Sequence, residues 1–291
     1  MPSKANLSGT TLRRRQVGRA LRDGRQELRL TLDQVADVTR ISRSTLSRIE
    51  LGQYEKVRDM EVEYLGRYYG LPEDRIEYLK SLVCKDETKV WYQDYRQLIV
   101  PGFGTYLELE SFATDFKFYQ PIVIPGLLQT EPYARTLEQI HRAGGPIEEI
   151  NAAVELRMQR TKLLTRAHMP VRAEFLLQEN TLYTLVGSPA IMRAQLLHIA
   201  DLSTRDNITV RVVPFTAGLP TGSVTPPHIL LDFPENEPSI VYTEAGIGAM
   251  VFEDTEDVER FRAFHETLRR AALEEQPSRD RIRKIAGRYK Q

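Results

Sequence analysis

"ISRSTLSRIELG", Ile41–Gly52, decides how the head of the chain is read. Ser42 stands where a helix N-cap belongs, and Leu46 and Ile49 fall on one side of the helix that follows. Arg43, Ser44, Ser47 and Arg48 fall elsewhere, and Gly52 supplies the C′ residue that ends the turn. The segment is either an ordinary surface helix or one built to enter a groove of DNA. Its flanks and the placement of charge choose between the two.

Working outward, "LRRRQVGRALRDGRQEL" (Leu12–Leu28) sets Val17, Leu21, Gly24 and Leu28 on one stripe, with Arg13, Arg14, Arg15, Arg19, Arg22 and Arg25 on the other faces. In "TLDQVADVTRI", Thr31 and Gln34 have the spacing of a capping box, and Leu32, Val35, Ala36 and Val38 are the apolar residues of a short helix. A turn at Thr39–Ile41 leads into the quoted stretch. A fourth helix is predicted over Val57–Tyr69, with Val62, Leu65 and Tyr69 inward; Gly70 stops it and Pro72 starts a fifth. Two short helices joined by a tight turn and held between longer ones make a helix-turn-helix. A reading helix needs small polar and basic side chains in its first turn and an apolar far side. Arg43, Ser44 and Thr45 occupy that first turn, with Ser47 and Arg48 just beyond. Glu50 is expected to pin the helix to its scaffold rather than to act on a ligand.

Charge agrees with this reading. The chain of 291 residues has no net charge, yet residues 1–48 hold 11 basic against 4 acidic residues, 49–275 hold 23 against 35, and 276–291 hold 6 against 1. A basic head on an acidic body meets a polyanion with one end only. The length predicts about two domains. No apolar run approaches the roughly 20 residues of a membrane span, the start "MPSKANLSGT" has no secretory apolar core, and Cys84 is the single cysteine. A reducing cytoplasm is therefore expected, with nucleoid association when the protein is bound to DNA.

The boundary is predicted near residue 90: a helix-turn-helix domain over 1–85, a connecting segment over 86–104, in which Trp91, Tyr92 and Tyr95 pack and Pro101-Gly102 turns, and a mixed domain over 105–291. In that domain "DFKFY" (Asp115–Tyr119), "VRAEFLLQ" as a half-buried strand, "NITVRVVPF", "HILLDF" and "SIVYTEA" are the predicted strands. Helices are predicted after Thr130 as N-cap, over Pro146–Arg166, after Ser188, over "DTEDVERFRAFHETLRRAALEE" and, capped by Ser278, over the basic "RDRIRKIAGRYK". No regular βαβ alternation is evident. The predicted fold is multidomain: an all-α five-helix head followed by an α+β C-terminal domain.

Two resemblances follow from these residues. Arg15 to Leu71, through "VGRALRDGR", "TLDQVAD" and "ISRSTLSRIELG", resembles the Xre-type, lambda-repressor-like DNA-binding domain. Thr39 and Arg40 depart from it, standing where glycine and a small turn residue are usual. The resemblance implies that Arg43, Ser44, Thr45, Ser47 and Arg48 read bases or nearby phosphates of double-stranded DNA. It makes Gln34, Lys56, Arg13, Arg14 and Arg15 backbone contacts. The rest resembles the C-terminal domain of unknown function in actinomycete WhiJ-like regulators, through "IPGLLQTEPYAR" (Ile124–Arg135), "ELRMQRTKLL", "LVGSPAIMRAQLLHI", "ITVRVVPF" and "IVYTEA". Gln159-Arg160 reverses the usual order of that pair. This resemblance implies transcriptional control, often of development or secondary metabolism, and supplies no ligand.

No catalytic, metal or cofactor motif emerges. His141, His168, His198, His228 and His265 lack metal-ligand spacing, "GFG" (Gly102–Gly104) and "GIG" (Gly246–Gly248) are too short for phosphate loops, and Cys84 has only Lys85 as a basic neighbour. No enzyme, metal or cofactor is expected. The expected function is a sequence-specific DNA-binding regulator, acting as a homodimer that reads two half-sites. The body then pairs the protomers and binds either a small partner protein, in an antitoxin-like or co-regulator arrangement with the basic last helix as docking surface, or a small molecule in a pocket lined by Phe116, Phe118, Tyr183 and Tyr242; against these stand a last helix that is simply solvated and aromatics that are simply core.

Overall fold

The computed structural model describes residues 9–54, 57–83, 92–99, 103–165, 171–234, 237–245 and 248–289. The side chains of residues 9–13 fall outside this set, as do those of 78, 81, 93, 94, 96 and 245. The chain divides into two compact units, Met1–Asp94 with Thr105–Leu109, and Tyr95–Gly104 with Glu110–Gln291.

The first unit is helical: α1 (Gly9–Glu27), α2 (Leu32–Thr39), α3 (Arg43–Glu50), α4 (Asp59–Tyr68) and α5 (Glu73–Val83). Val17, Leu21, Val35, Leu46, Ile49, Val62, Leu65, Ile76 and Leu79 are buried and form its core. Gly18 explains how α1 reaches α3: a Cβ there would lie 2.3 Å from the Ile49 carbonyl oxygen, so only glycine permits the approach. The predicted stripe of α1 is shorter than expected, because Leu28 is exposed. In α2, Val38 faces solvent and Thr39 takes the inner place, its hydroxyl donating to the Val35 carbonyl at 2.7 Å. That bond satisfies a buried hydroxyl within its own helix. The three aromatic expectations for the connecting segment divide: Trp91 falls outside the described residues, Tyr92 is buried and its hydroxyl donates to Glu108 at 2.6 Å, and Tyr95 is half-buried with its hydroxyl accepting from Gln159 Nε2 at 3.1 Å.

The second unit is α+β. After α6 (Phe103–Phe112), of which Thr105–Leu109 belong to the first unit, come β1 (Asp115–Gln120), α7 (Glu131–His141), α8 (Ile147–Thr161), β2 (Arg172–Gln178), α9 (Pro189–Leu202), β3 (Ile208–Val213), β4 (His228–Asp232), β5 (Ile240–Ala245), β6 (Gly248–Phe252), α10 (Thr255–Ala271) and α11 (Glu275–Ala286). The six strands form one sheet in the order β3-β2-β1-β4-β5-β6. β1, β2 and β3 are parallel, and β1, β4, β5 and β6 are successively antiparallel. A parallel half therefore exists where no alternation was expected. Its first crossover contains both α7 and α8, which hides the βαβ rhythm in the sequence.

One sheet face carries Phe116, Phe118, Phe175, Val210, Val212 and Tyr242, all buried, with Phe118 and Phe175 stacked at 4.7 Å. On the other face, Tyr119 and Leu176 pack with Leu268 of α10, and Leu230 and Val241 pack with Val258. β2 is accordingly buried on both faces along Phe175–Leu177, not half-buried as its alternation implied. α8 ends at Thr161 and passes into a 3-10 turn, short of the expected Arg166. α6 and β6 are further elements that periodicity missed. Ser278 is not a cap. It lies inside α11, fully buried, where its hydroxyl accepts from the Val212 amide at 3.0 Å and donates to the Leu273 carbonyl. Thr130 holds the N-cap position of α7 without a side-chain cap bond; its amide and hydroxyl both meet Gln195 Oε1.

Candidate nucleic-acid interface

α2 begins on the capping box that its sequence announces. The Gln34 amide donates to Thr31 Oγ1 at 3.2 Å, and the Thr31 amide donates to Gln34 Oε1 at 2.8 Å. The Gln34 side-chain nitrogen has no hydrogen-bond partner among the described residues and is left exposed. Arg40 closes α2 in a left-handed conformation, φ +60, which a non-glycine residue reaches at some cost. This sharp turn lets α3 start two residues later on Ser42, whose hydroxyl accepts from the Thr45 amide at 3.1 Å. The Ser44 and Thr45 hydroxyls lie 3.0 and 2.8 Å from the same oxygen.

α3 is anchored on its inner face and presents the other. Leu46 and Ile49 are buried against the core. Gly52, at φ +67, ends the helix beside α1, where a Cβ would come within 2.9 Å of the Arg15 backbone nitrogen. Glu50 is only 6% exposed and receives both Nε and Nη2 of Arg25, at 2.6 and 2.8 Å, while Arg25 Nη1 reaches the Leu30 carbonyl. The Glu50 hydrogen bond holds the Arg25 guanidinium above its ordinary pKa. Arg25 thus belongs to the scaffold rather than to a free basic face, and the bidentate pair ties the end of α3 to α1.

Arg43, Ser44 and Arg48 are exposed, Ser47 and Thr45 half-buried, and Thr45 is engaged with the cap. Arg43, Ser44, Ser47 and Arg48 share one outward face of α3. Arg43 Nε lies 3.2 Å from Asp33 Oδ1 of α2, with both side chains about 70% exposed. Such an exposed pair is worth little and yields readily to a stronger acceptor. Sequence reasoning overlooked Asp33; its place one residue before Gln34 in the first turn of α2 was the available signal. Arg14 and Arg15 flank the end of α3 through the close approach at Gly52, and the Arg14 guanidinium lies 5.7 Å from the Tyr54 ring. Burial raises the Tyr54 hydroxyl to about 12, against the opposing charge of Arg14. Lys56 falls outside the described residues, and Arg13 lies on α1 with its side chain likewise outside them.

The second unit holds the residues of the two binding readings. Phe116, Phe118 and Tyr242 are core residues, whereas Tyr183 sits at the surface stacked on Phe215 at 6.0 Å. Much of the basic charge of α11 is engaged within the unit. Arg279 donates to Ser203 Oγ at 2.9 Å and to its carbonyl at 2.5 Å, and Arg281 pairs with buried Glu179 at 2.7 Å. Among the described residues no group of His, Cys, Asp and Glu could hold a metal ion, and no helix is long and apolar enough to cross a membrane.

Residues 16–79 match the family model described as a helix-turn-helix domain, so the head is similar to that domain over α1 to α5. Residues 103–284 match the model described as a domain of unknown function, DUF5753. No curated protein and no solved structure matches the chain. Because the second match runs over more than half of its length, the chain belongs to the DUF5753 family, with a helix-turn-helix domain ahead of the family domain.

Proposed function

We propose that the protein is a sequence-specific transcriptional regulator of the Xre type that binds operator DNA through α3. The observation that carries this reading is the outward face of α3: Arg43, Ser44, Ser47 and Arg48 on a helix whose other side is fixed by Leu46, Ile49 and the Arg25–Glu50 pair. Arginine reads guanine edges bidentately in the major groove, and serine hydroxyls bond bases or phosphates. Gln34, Arg14 and Arg15 then serve as phosphate contacts, which position the domain without reading sequence. A single domain of this size buries little surface, so the operator is read by a homodimer on two half-sites, within the cytoplasm. Pairing of the protomers falls to the α+β domain, as does response to a partner or small molecule.

The test is DNA capture across a genome with the parent and Arg43→Ala side by side, followed by titration of the recovered sites. Discrete sites sharing a two-fold motif, with Arg43→Ala losing about 1–3 kcal/mol and relaxing one base pair per half-site, support the reading. Arg14→Ala weakens all sequences alike and lowers the salt slope by about 1. Equal binding of parent and Arg43→Ala contradicts the role given to α3.

A further inference from the structure

A helix lying on a sheet is expected to meet it with apolar residues. On the α10 face this holds around Leu268 and Val258. Toward the start of β1 and β2 it fails. There Asp115 is in register with Arg172, and Lys117 with Glu174. α10 answers with Arg262, His265, Glu266 and Arg269, a stripe at i, i+3, i+4 and i+7. Between them opens a cleft of about 440 Å³ lined by four basic and four acidic side chains, besides His265, Asn207 and Thr209. Taking ionised groups partly out of water brings no stability that apolar residues would not bring more cheaply. Local rules broken in this way point to a site.

The floor of the cleft is fixed by a hydrogen-bonded chain. His228 Nδ1 lies 3.0 Å from the Pro226 carbonyl, which only accepts, so that nitrogen carries the hydrogen. His228 Nε2 is then an acceptor for His265 Nδ1 at 3.4 Å. His265 Nε2 in turn faces Glu174 Oε2 at 3.1 Å. Glu174 Oε1 takes Arg269 Nε at 2.9 Å. Both Glu174 oxygens are thus engaged, one by His265 and one by Arg269. Arg172 Nε pairs with Asp115 at 3.1 Å, and the Nη nitrogens of Arg172 and Arg269 make no hydrogen bond among the described residues. Asp206, exposed on the rim, has no ion-pair partner among the described residues either.

We propose that this cleft binds a small zwitterion, a free amino acid or a short peptide, with its carboxylate on the outer nitrogens of Arg172 and Arg269 and its ammonium on Asp206. Guanidinium ends are shaped for carboxylates. The balanced lining disfavours an apolar ligand, which would strip water from ionised groups without replacing its bonds. The site belongs to the α+β domain and does not depend on DNA binding.

Ligand-observed NMR and calorimetry on the full chain without DNA test it. Pooled L-amino acids form one arm and pooled di- and tripeptides the other, with propionate and propylamine as singly charged controls at the same millimolar concentration. One arm binds and the controls do not. Arg172→Ala and Asp206→Asn, both at exposed positions and expected to leave melting unchanged, each weaken binding about tenfold or more. Binding in neither arm, equal binding of propionate, or affinity untouched by both substitutions overturns the proposal.

Discussion

In the helical head, Arg43 and Arg48 stand in solvent, and the ion pair of Arg43 with Asp33 is exposed on both sides. In the α+β domain, Arg160 is 8% exposed and delivers Nε and Nη2 to Glu110, which is fully buried, at 2.9 Å each. Glu138, also buried, takes Arg142 and Arg157, and Asp232 takes Lys117 and Arg262. The same residue types thus serve two ends. Arg43 and Arg48 on the head are left accessible, whereas much of the charge in the body is closed into pairs that hold elements together. Glu50 with Arg25 brings the second device to the end of α3.

The comparison breaks most easily at Arg160. Glu110→Ala removes the buried carboxylate that takes both Nε and Nη2 of Arg160 and should cost about 3–5 kcal/mol of stability in the α+β domain, read by chemical denaturation. A loss no larger than that of an exposed pair would show that burial in this domain has not made its charges structural.

Next comes pH. Burial lowers the His228 imidazole to about 4, with the Pro226 hydrogen bond opposing and His265 adding to the fall. The unfolded chain takes up a proton near pH 6.5, the folded one only near 4, so stability falls as pH drops through that window and levels below it. The loss is about 3 kcal/mol, and His228→Gln should flatten it. Asp232 adds a separate step: burial would raise it, but Lys117, Ser239 and Arg262 hold it near 2. Its stabilising share is present above the ordinary carboxylate range and fades as pH falls toward 2. A denaturation midpoint constant from pH 7 to 4 would contradict the buried neutral imidazole.

The smaller effects sharpen the view of the head. Glu50→Ala should cost about 2–3 kcal/mol and weaken DNA binding only as far as it loosens α3. Ser42→Ala removes one cap and should cost about 1 kcal/mol, measured as a melting shift of the head.

Much of the head was legible because its cues are local. Thr31 with Gln34, Ser42, Gly52 and Gly70 punctuate helices within a few residues, and each stands where its cap or turn requires. The partnership of Arg25 with Glu50 was not legible, since 25 residues separate them and α1 shows arginine on several faces. In the body, strands with β-branched runs were readable. β6, "GAMVF", is half-exposed and lacks such a run, and α6 begins on Phe103-Gly104 with no cap signal. Ser278 looked like a cap because serine usually is one; its role inside α11 depends on Val212, 66 residues away. The charged cleft was invisible for the same reason: Lys117, Glu174 and His265 come from β1, β2 and α10, and only the sheet register unites them.

The most direct measurement is titration of the full chain onto its captured operator across a salt series, parent against Arg43→Ala, with a scrambled sequence alongside. The account predicts that the substitution removes discrimination between operator and scramble by about 1–3 kcal/mol while melting stays unchanged. Parent and variant discriminating equally would contradict α3 as the reading helix, and with it the division of charge between head and body.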